Sequence, residues 1–98
     1  MGVKEEAILC MKISLGISSV QDLSLLEFKD TITTDEFEHI MEVRESNNKY
    51  SKRQKNKWLK VYILAIDDFE KQKGSALDWG DITYLSHKIN ELNSLLSD

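Results

Sequence analysis

Hydrophobic positions recur along this chain at spacings of three and four, the period of amphipathic helices. The densest stretch is WLKVYILAIDDF, from Trp58 to Phe69. Wound at about 100° per residue, it places Trp58, Leu59, Val61, Tyr62, Ile63, Ala65, Ile66 and Phe69 on an arc roughly 200° wide, where a surface helix needs a stripe of only about 100°. An arc of that width calls for neighbours on two sides and predicts a central, buried helix. Arg53, Lys57, Lys60, Asp67, Asp68 and Lys71 fill the remaining wedge, and Leu64 points into it. There Leu64 is either a solitary exposed leucine or an apolar anchor ringed by charge. Ser51 and Gln54 have the spacing of a capping box. Lys71 and Lys73 suit the negative end of a helix, and Gly74 offers the left-handed residue that closes one. The helix is therefore expected over about 51–73.

Four further segments follow the same period. Ala7, Ile8, Met11 and Leu15 mark a helix over residues 3–15 that stops at Gly16. Ser18 or Ser19 caps a second, with Val20, Leu23, Leu26 and Phe28 as its apolar set. Thr33 and Glu36 form a capping box, flanked by Ile32 and Phe37 as a hydrophobic staple. That box predicts a helix from Thr34 to Ser46 with Phe37, Ile40, Met41 and Val43 inward. Asn47 to Tyr50 is a polar link, and residues 75–80 are a short joint. A last helix is expected from about Asp81 to Leu96, with Ile82, Leu85, Ile89, Leu92 and Leu96 spaced 3-4-3-4. This seam fits either the chain's own core or a second copy, which makes Ile82, Leu85, Ile89 and Leu92 a candidate homo-oligomer surface. The pattern as a whole predicts an all-α fold: a single domain, residues 1–98, built as a compact bundle of four to five helices with a central buried helix at about 51–73.

Composition agrees with this. Ninety-eight residues suffice for one core and not two. The absence of proline, with only four glycines, leaves helices uninterrupted. No apolar run is long enough for a membrane span, and the first ten residues, MGVKEEAILC, are acidic where a signal peptide would be basic. A cytoplasmic location is the expectation, and the single cysteine excludes an internal disulfide framework. Cys10, between Leu9 and Met11, reads as a buried thiol.

Charge adds the one functional clue. The net charge of −4 hides a partition. Residues 1–46 carry ten acids and four bases, and residues 61–98 carry seven acids and three bases. Between them, residues 47–60 carry Lys49, Lys52, Arg53, Lys55, Lys57 and Lys60 and no acid. Cations in the first turn of a helix oppose its macrodipole at a cost of about 0.3–1 kcal/mol each. Either Glu38, Glu42 and Glu45 on the preceding helix neutralise them internally, or an outside partner does. An acidic protein is favoured over nucleic acid, because the surplus of acid elsewhere repels a polyanion.

Candidate chemistry is sparse. Leu15-Gly16-Ile17-Ser18 resembles the turn of a helix-turn-helix DNA reader. Lys12 and Asp22 break that pattern, and Asp22, Glu27 and Asp30 would repel a duplex from the following helix. Glu36-x-x-His39 has the spacing of a carboxylate-bridged metal helix, but Tyr84 stands where His87 would need a second glutamate, so no metal is expected. Asp67 and Asp68 fall in the charged wedge, with Lys71 placed to pair with Asp67. No phosphate loop or nucleophile motif occurs. The reading is a non-enzymatic protein-binding module without cofactor: an inhibitor, adaptor or regulatory subunit. Lys49, Lys52, Arg53, Lys55, Lys57, Lys60 and Leu64 are its partner-binding residues. The alternative is a nucleic-acid-associated regulator using residues 49–60.

Overall fold

A computed structural model of the chain describes residues 2–25 and 33–96, with positions 90–96 given by their helical backbone alone. Four α-helices follow in order: α1 (Val3–Ser14), α2 (Thr34–Ser46), α3 (Lys52–Lys73) and α4 (Trp79–Leu96). A 3-10 helix, Val20–Leu25, follows α1, and a second, Asn47–Lys49, links α2 to α3. Among the described residues there is no strand. The fold is the all-α bundle that the periodicity predicts. Its radius of gyration, 13.5 Å, compares with about 13 Å for a compact domain of this length.

Local capping sets the helix ends. α1 stops where Gly16 takes φ 79°, and the amides of Ile17 and Ser18 both donate to the Lys12 carbonyl, at 2.9 and 3.1 Å. The hydroxyl oxygens of Thr33 and Ser51 accept from the amides of Glu36 and Gln54, at 3.1 and 3.2 Å, which starts α2 and α3 at the predicted residues. Gly74 closes α3 at φ 71°.

Two expectations need correction. The second segment is a 3-10 helix over Val20–Leu25 rather than an α-helix. Leu26, Phe28 and Ile32 lie outside the described residues. The last helix begins at Trp79, two residues earlier than expected, because Asp78 and Asp81 cap one another. The Asp81 amide donates to Asp78 Oδ1 at 2.8 Å, and the Asp78 amide donates to Asp81 Oδ2 at 3.1 Å. This is a capping box written with two aspartates. It holds Gly80 within the first turn, where glycine alone would be read as a break.

α3 packs against α1 on one side and α4 on the other. These are the two neighbours its wide apolar arc required. Tyr62 and Ile66, at the middle of the arc, are 2% and 0% exposed. Trp58, Leu59, Ile63, Ala65 and Phe69 are half-buried, and Val61, at the arc's edge, is 40% exposed. Two flanking helices close the centre of such an arc and leave its margins open.

α1 joins two apolar clusters. Ala7 packs with Tyr62, Ile66, Leu77, Ile82, Leu85 and Ile89, whereas Ile13 packs with Leu23 beside Val20 and Ile40. Ile82, Leu85 and Ile89 are thus spent on the chain's own core, which removes them from a self-association seam. The Leu92 side chain falls outside the described residues. α2 buries no residue at all, and Phe37, expected inward, is 41% exposed. Among the described residues, half-buried Ile40 packs against the cluster of Ile13 and Leu23.

The turn from α3 to α4 is held by charge. Lys73 Nζ lies 2.6 Å from Asp81 Oδ2. This ion pair, together with the Asp78 amide, holds the Asp81 carboxyl below its ordinary range. A carboxylate whose pKa is depressed by folding contributes stability above its unfolded pKa and loses it as the pH falls through the folded value. Asp81→Asn should therefore lower the denaturation midpoint at neutral pH. The gap to the parent should narrow once the pH falls below about 4. A gap that stays constant with pH would contradict this assignment.

Candidate functional site

The six cations of residues 49–60 do not form one patch. Arg53, Lys57, Lys60 and Leu64 are spaced 4, 3 and 4 residues apart, so they run as one stripe along the outer edge of α3. Leu64 is 57% exposed at the end of that stripe. Lys52 is exposed in the first turn of α3.

Lys55 belongs to a different environment. It falls on the face of α3 that also carries Tyr62 and Ile66. Its Nζ reaches the end of α1, 3.7 Å from where a Cβ on Gly16 would stand. There it joins two groups that satisfy the α1 terminus. Arg44 Nη1 donates to the carbonyls of Ile13 (2.9 Å) and Ser18 (2.6 Å), and Asn47 Nδ2 donates to Ser14 (3.0 Å). Positive charge at a helix C-terminus is favourable, so Lys55 is accounted for inside the fold. The cue was its position three residues before Trp58 on the apolar face.

Among the described residues, no ion pair joins Glu38, Glu42 or Glu45 to any of the six cations. The acids that do pair lie elsewhere. Asp67, assigned from sequence to Lys71, instead pairs with Lys4 of α1, which also lies 3.6 Å from Glu70. The cause is tertiary, since the start of α1 packs along α3. Asp68 accepts a hydrogen bond from Gln72 at 2.9 Å.

Lys49 leads to a second feature. Its Nζ stands 5.1 Å from the centre of the Tyr50 ring, and Tyr50 meets Trp58 edge to face with centroids 4.6 Å apart. These two rings are among the residues that line a cleft of about 620 Å³ whose walls come from all four helices. α1 supplies Met11, α2 supplies Ile40 and Val43, α3 supplies Tyr62, and α4 supplies Trp79 and Ile82. Among the described residues His39 is the only charged or chargeable side chain besides the Cys10 thiol and the Tyr50 and Tyr62 phenols that lines it. The volume is within the range of ligand and peptide pockets, about 300–1,000 Å³.

Two polar groups in the cleft are shifted by burial. Burial, with Glu6 nearby, pushes the Cys10 thiol up to about 11. Burial also raises Tyr62, against the opposing effect of its hydrogen bond with Ser86. A thiol so shifted is a poor nucleophile near neutral pH. Iodoacetamide at pH 8 should therefore modify native Cys10 on the order of a hundredfold more slowly than the denatured chain. Equal rates would mean that the thiol is not shielded.

Glu36 is engaged in its capping box, accepting from Thr33 Oγ1 at 3.1 Å, and His39 lines the cleft. Among the described residues no three His, Cys, Asp or Glu side chains are grouped to hold a metal ion. Nor is any helix there long and apolar enough to cross a membrane. Compared with known proteins, the chain matches no family model, no curated sequence and no solved structure.

Proposed function

We propose that this chain is a non-enzymatic protein-binding module of the cytoplasm, an inhibitor, adaptor or regulatory subunit, whose basic α3 edge engages an acidic protein partner. The observation that carries the reading is that Lys52, Arg53, Lys57 and Lys60 have no ion pair among the described residues. Lys52 and Arg53 stand in the first turn of α3, where the macrodipole already opposes them. Carboxylates from a partner would offset that cost, and exposed Leu64 adds an apolar anchor at the end of the stripe.

Nucleic acid fits less well. Single-strand binders offer aromatic faces on which bases stack. Here Tyr50 and Trp58 pack on each other, and Lys49 covers the Tyr50 face. The deciding experiment compares a labelled Glu-rich peptide with single- and double-stranded DNA by fluorescence anisotropy, at about 50 and 200 mM salt. The peptide should bind, and Lys52→Glu/Arg53→Glu/Lys57→Glu should weaken it at least tenfold. Tighter binding of DNA, lost in the same variant, would replace the proposal with the nucleic-acid reading.

A further inference from the structure

We infer that the acidic partner of the α3 edge is a second copy of this chain, whose α2 lies antiparallel along α3 with its acids against the cations. This rests on the proposed basic edge and names what docks there.

The chain carries both halves of such a contact. On α2, Glu38, Glu42 and Glu45 are exposed, stand 4 and 3 residues apart, and lie on the face opposite half-buried Ile40, Val43 and Arg44. On α3, Arg53, Lys57 and Lys60 are exposed with the same spacing, on the face opposite buried Tyr62 and Ile66. From Glu38 to Glu45 and from Arg53 to Lys60 is the same step along a helix, about 10 Å. Among the described residues no ion pair joins the two sets within one chain. α2 packs on α1, and α3 packs on α1 and α4, so both charged faces turn outward.

The apolar positions choose the direction. Run antiparallel, with Arg53 against Glu45 and Lys60 against Glu38, the helices set Lys57 against Glu42 and Val61 against Phe37. Val61 and Phe37 are 40% and 41% exposed in the single chain, and this contact withdraws both from water. A parallel arrangement pairs the same charges but sets Phe37 against Lys52 and Val61 against Ser46. The macrodipoles agree. Glu45 in the last turn of α2 and Arg53 in the first turn of α3 each oppose the dipole of their own helix. Antiparallel docking brings those two ends together, so one ion pair offsets both costs.

Exposed ion pairs are individually weak, and one helix laid on another falls at the small end of specific interfaces. The association is therefore weak and salt-sensitive. Where both contacts form reciprocally the pair closes as a dimer, and where they form singly copies add head to tail.

Sedimentation of the full chain up to about 1 mM should show association at about 30 mM salt that weakens about tenfold at about 300 mM. Lys57→Glu/Lys60→Glu and Glu38→Lys/Glu42→Lys should each weaken it about tenfold, because like charges then face each other. All four substitutions in one chain return the net charge to −4 and should restore association, which a general charge effect would not do. Direction is tested by cross-linking. Phe37→Cys and Val61→Cys chains, both carrying Cys10→Ala, should form a disulfide in the mixture faster than either does alone.

A chain that stays monomeric at low salt yet binds the Glu-rich peptide would overturn the second copy and leave the basic edge to another acidic protein. Failure of both would remove the edge as well. Association indifferent to salt and to both charge swaps would place self-contact on another surface and overturn this one, and equal cross-linking rates would overturn the antiparallel arrangement.

Discussion

Replacing Ile66 with alanine should destabilise the fold by about 2–5 kcal/mol. The side chain is fully enclosed, at 0% exposure, in the cluster that joins α1, α3 and α4. Truncation removes its transfer free energy and leaves a cavity that helices fixed on both sides cannot close. Small domains have about 5–15 kcal/mol in total, so the loss is a large fraction of what holds the bundle. The natural control is two residues away. Leu64 on the same helix is 57% exposed, and Leu64→Ala should change stability by no more than about 0.5 kcal/mol. Urea denaturation of the two variants measures the contrast. Comparable losses at both positions would show that α3 is oriented differently from the arrangement described.

Replacing Arg44 with methionine should cost about 1.5–3 kcal/mol, the usual range for hydrogen bonds to a charged group. Methionine keeps an apolar stem and removes the donors, so the Ser18 carbonyl loses its bond to Arg44 and the Ile13 carbonyl keeps only the Gly16 amide, at 3.0 Å. The damage should be local. α2 has no buried residue and is held to α1 by Arg44, by Asn47 and by the edge of Ile40. Hydrogen exchange should therefore accelerate in α2 well before α3, where Tyr62 and Ile66 lie in the other cluster. Arg44→Lys should rescue little, because one ammonium does not reproduce the fork of a guanidinium. Uniform acceleration across all helices would show instead that Arg44 supports the whole bundle.

The helix with no buried residue also contributes to the wall of the cleft. Arg44 and Asn47 tie its C-terminal half to the end of α1.

Much of this architecture was legible from residue order. The boxes at Thr33 and Ser51, the αL stop at Gly74 and the apolar period are contacts between residues three or four apart. Such signals are local and survive without the rest of the chain. They placed α2 and α3 to the residue and put Leu64 correctly on the exposed edge. The aspartate box of α4 is equally local, and it was missed because Gly80 looked like a breaker.

What the sequence alone could not settle was which helix stands beside which. Lys4 claims Asp67, Lys55 turns to the end of α1, Phe37 stays exposed, and all four helices contribute to the walls of a cleft. Each follows from helix placement across the bundle, where contacts link residues tens of positions apart. Periodicity tells a helix which side to bury, whereas only the packed structure decides against what, and which side is left uncovered.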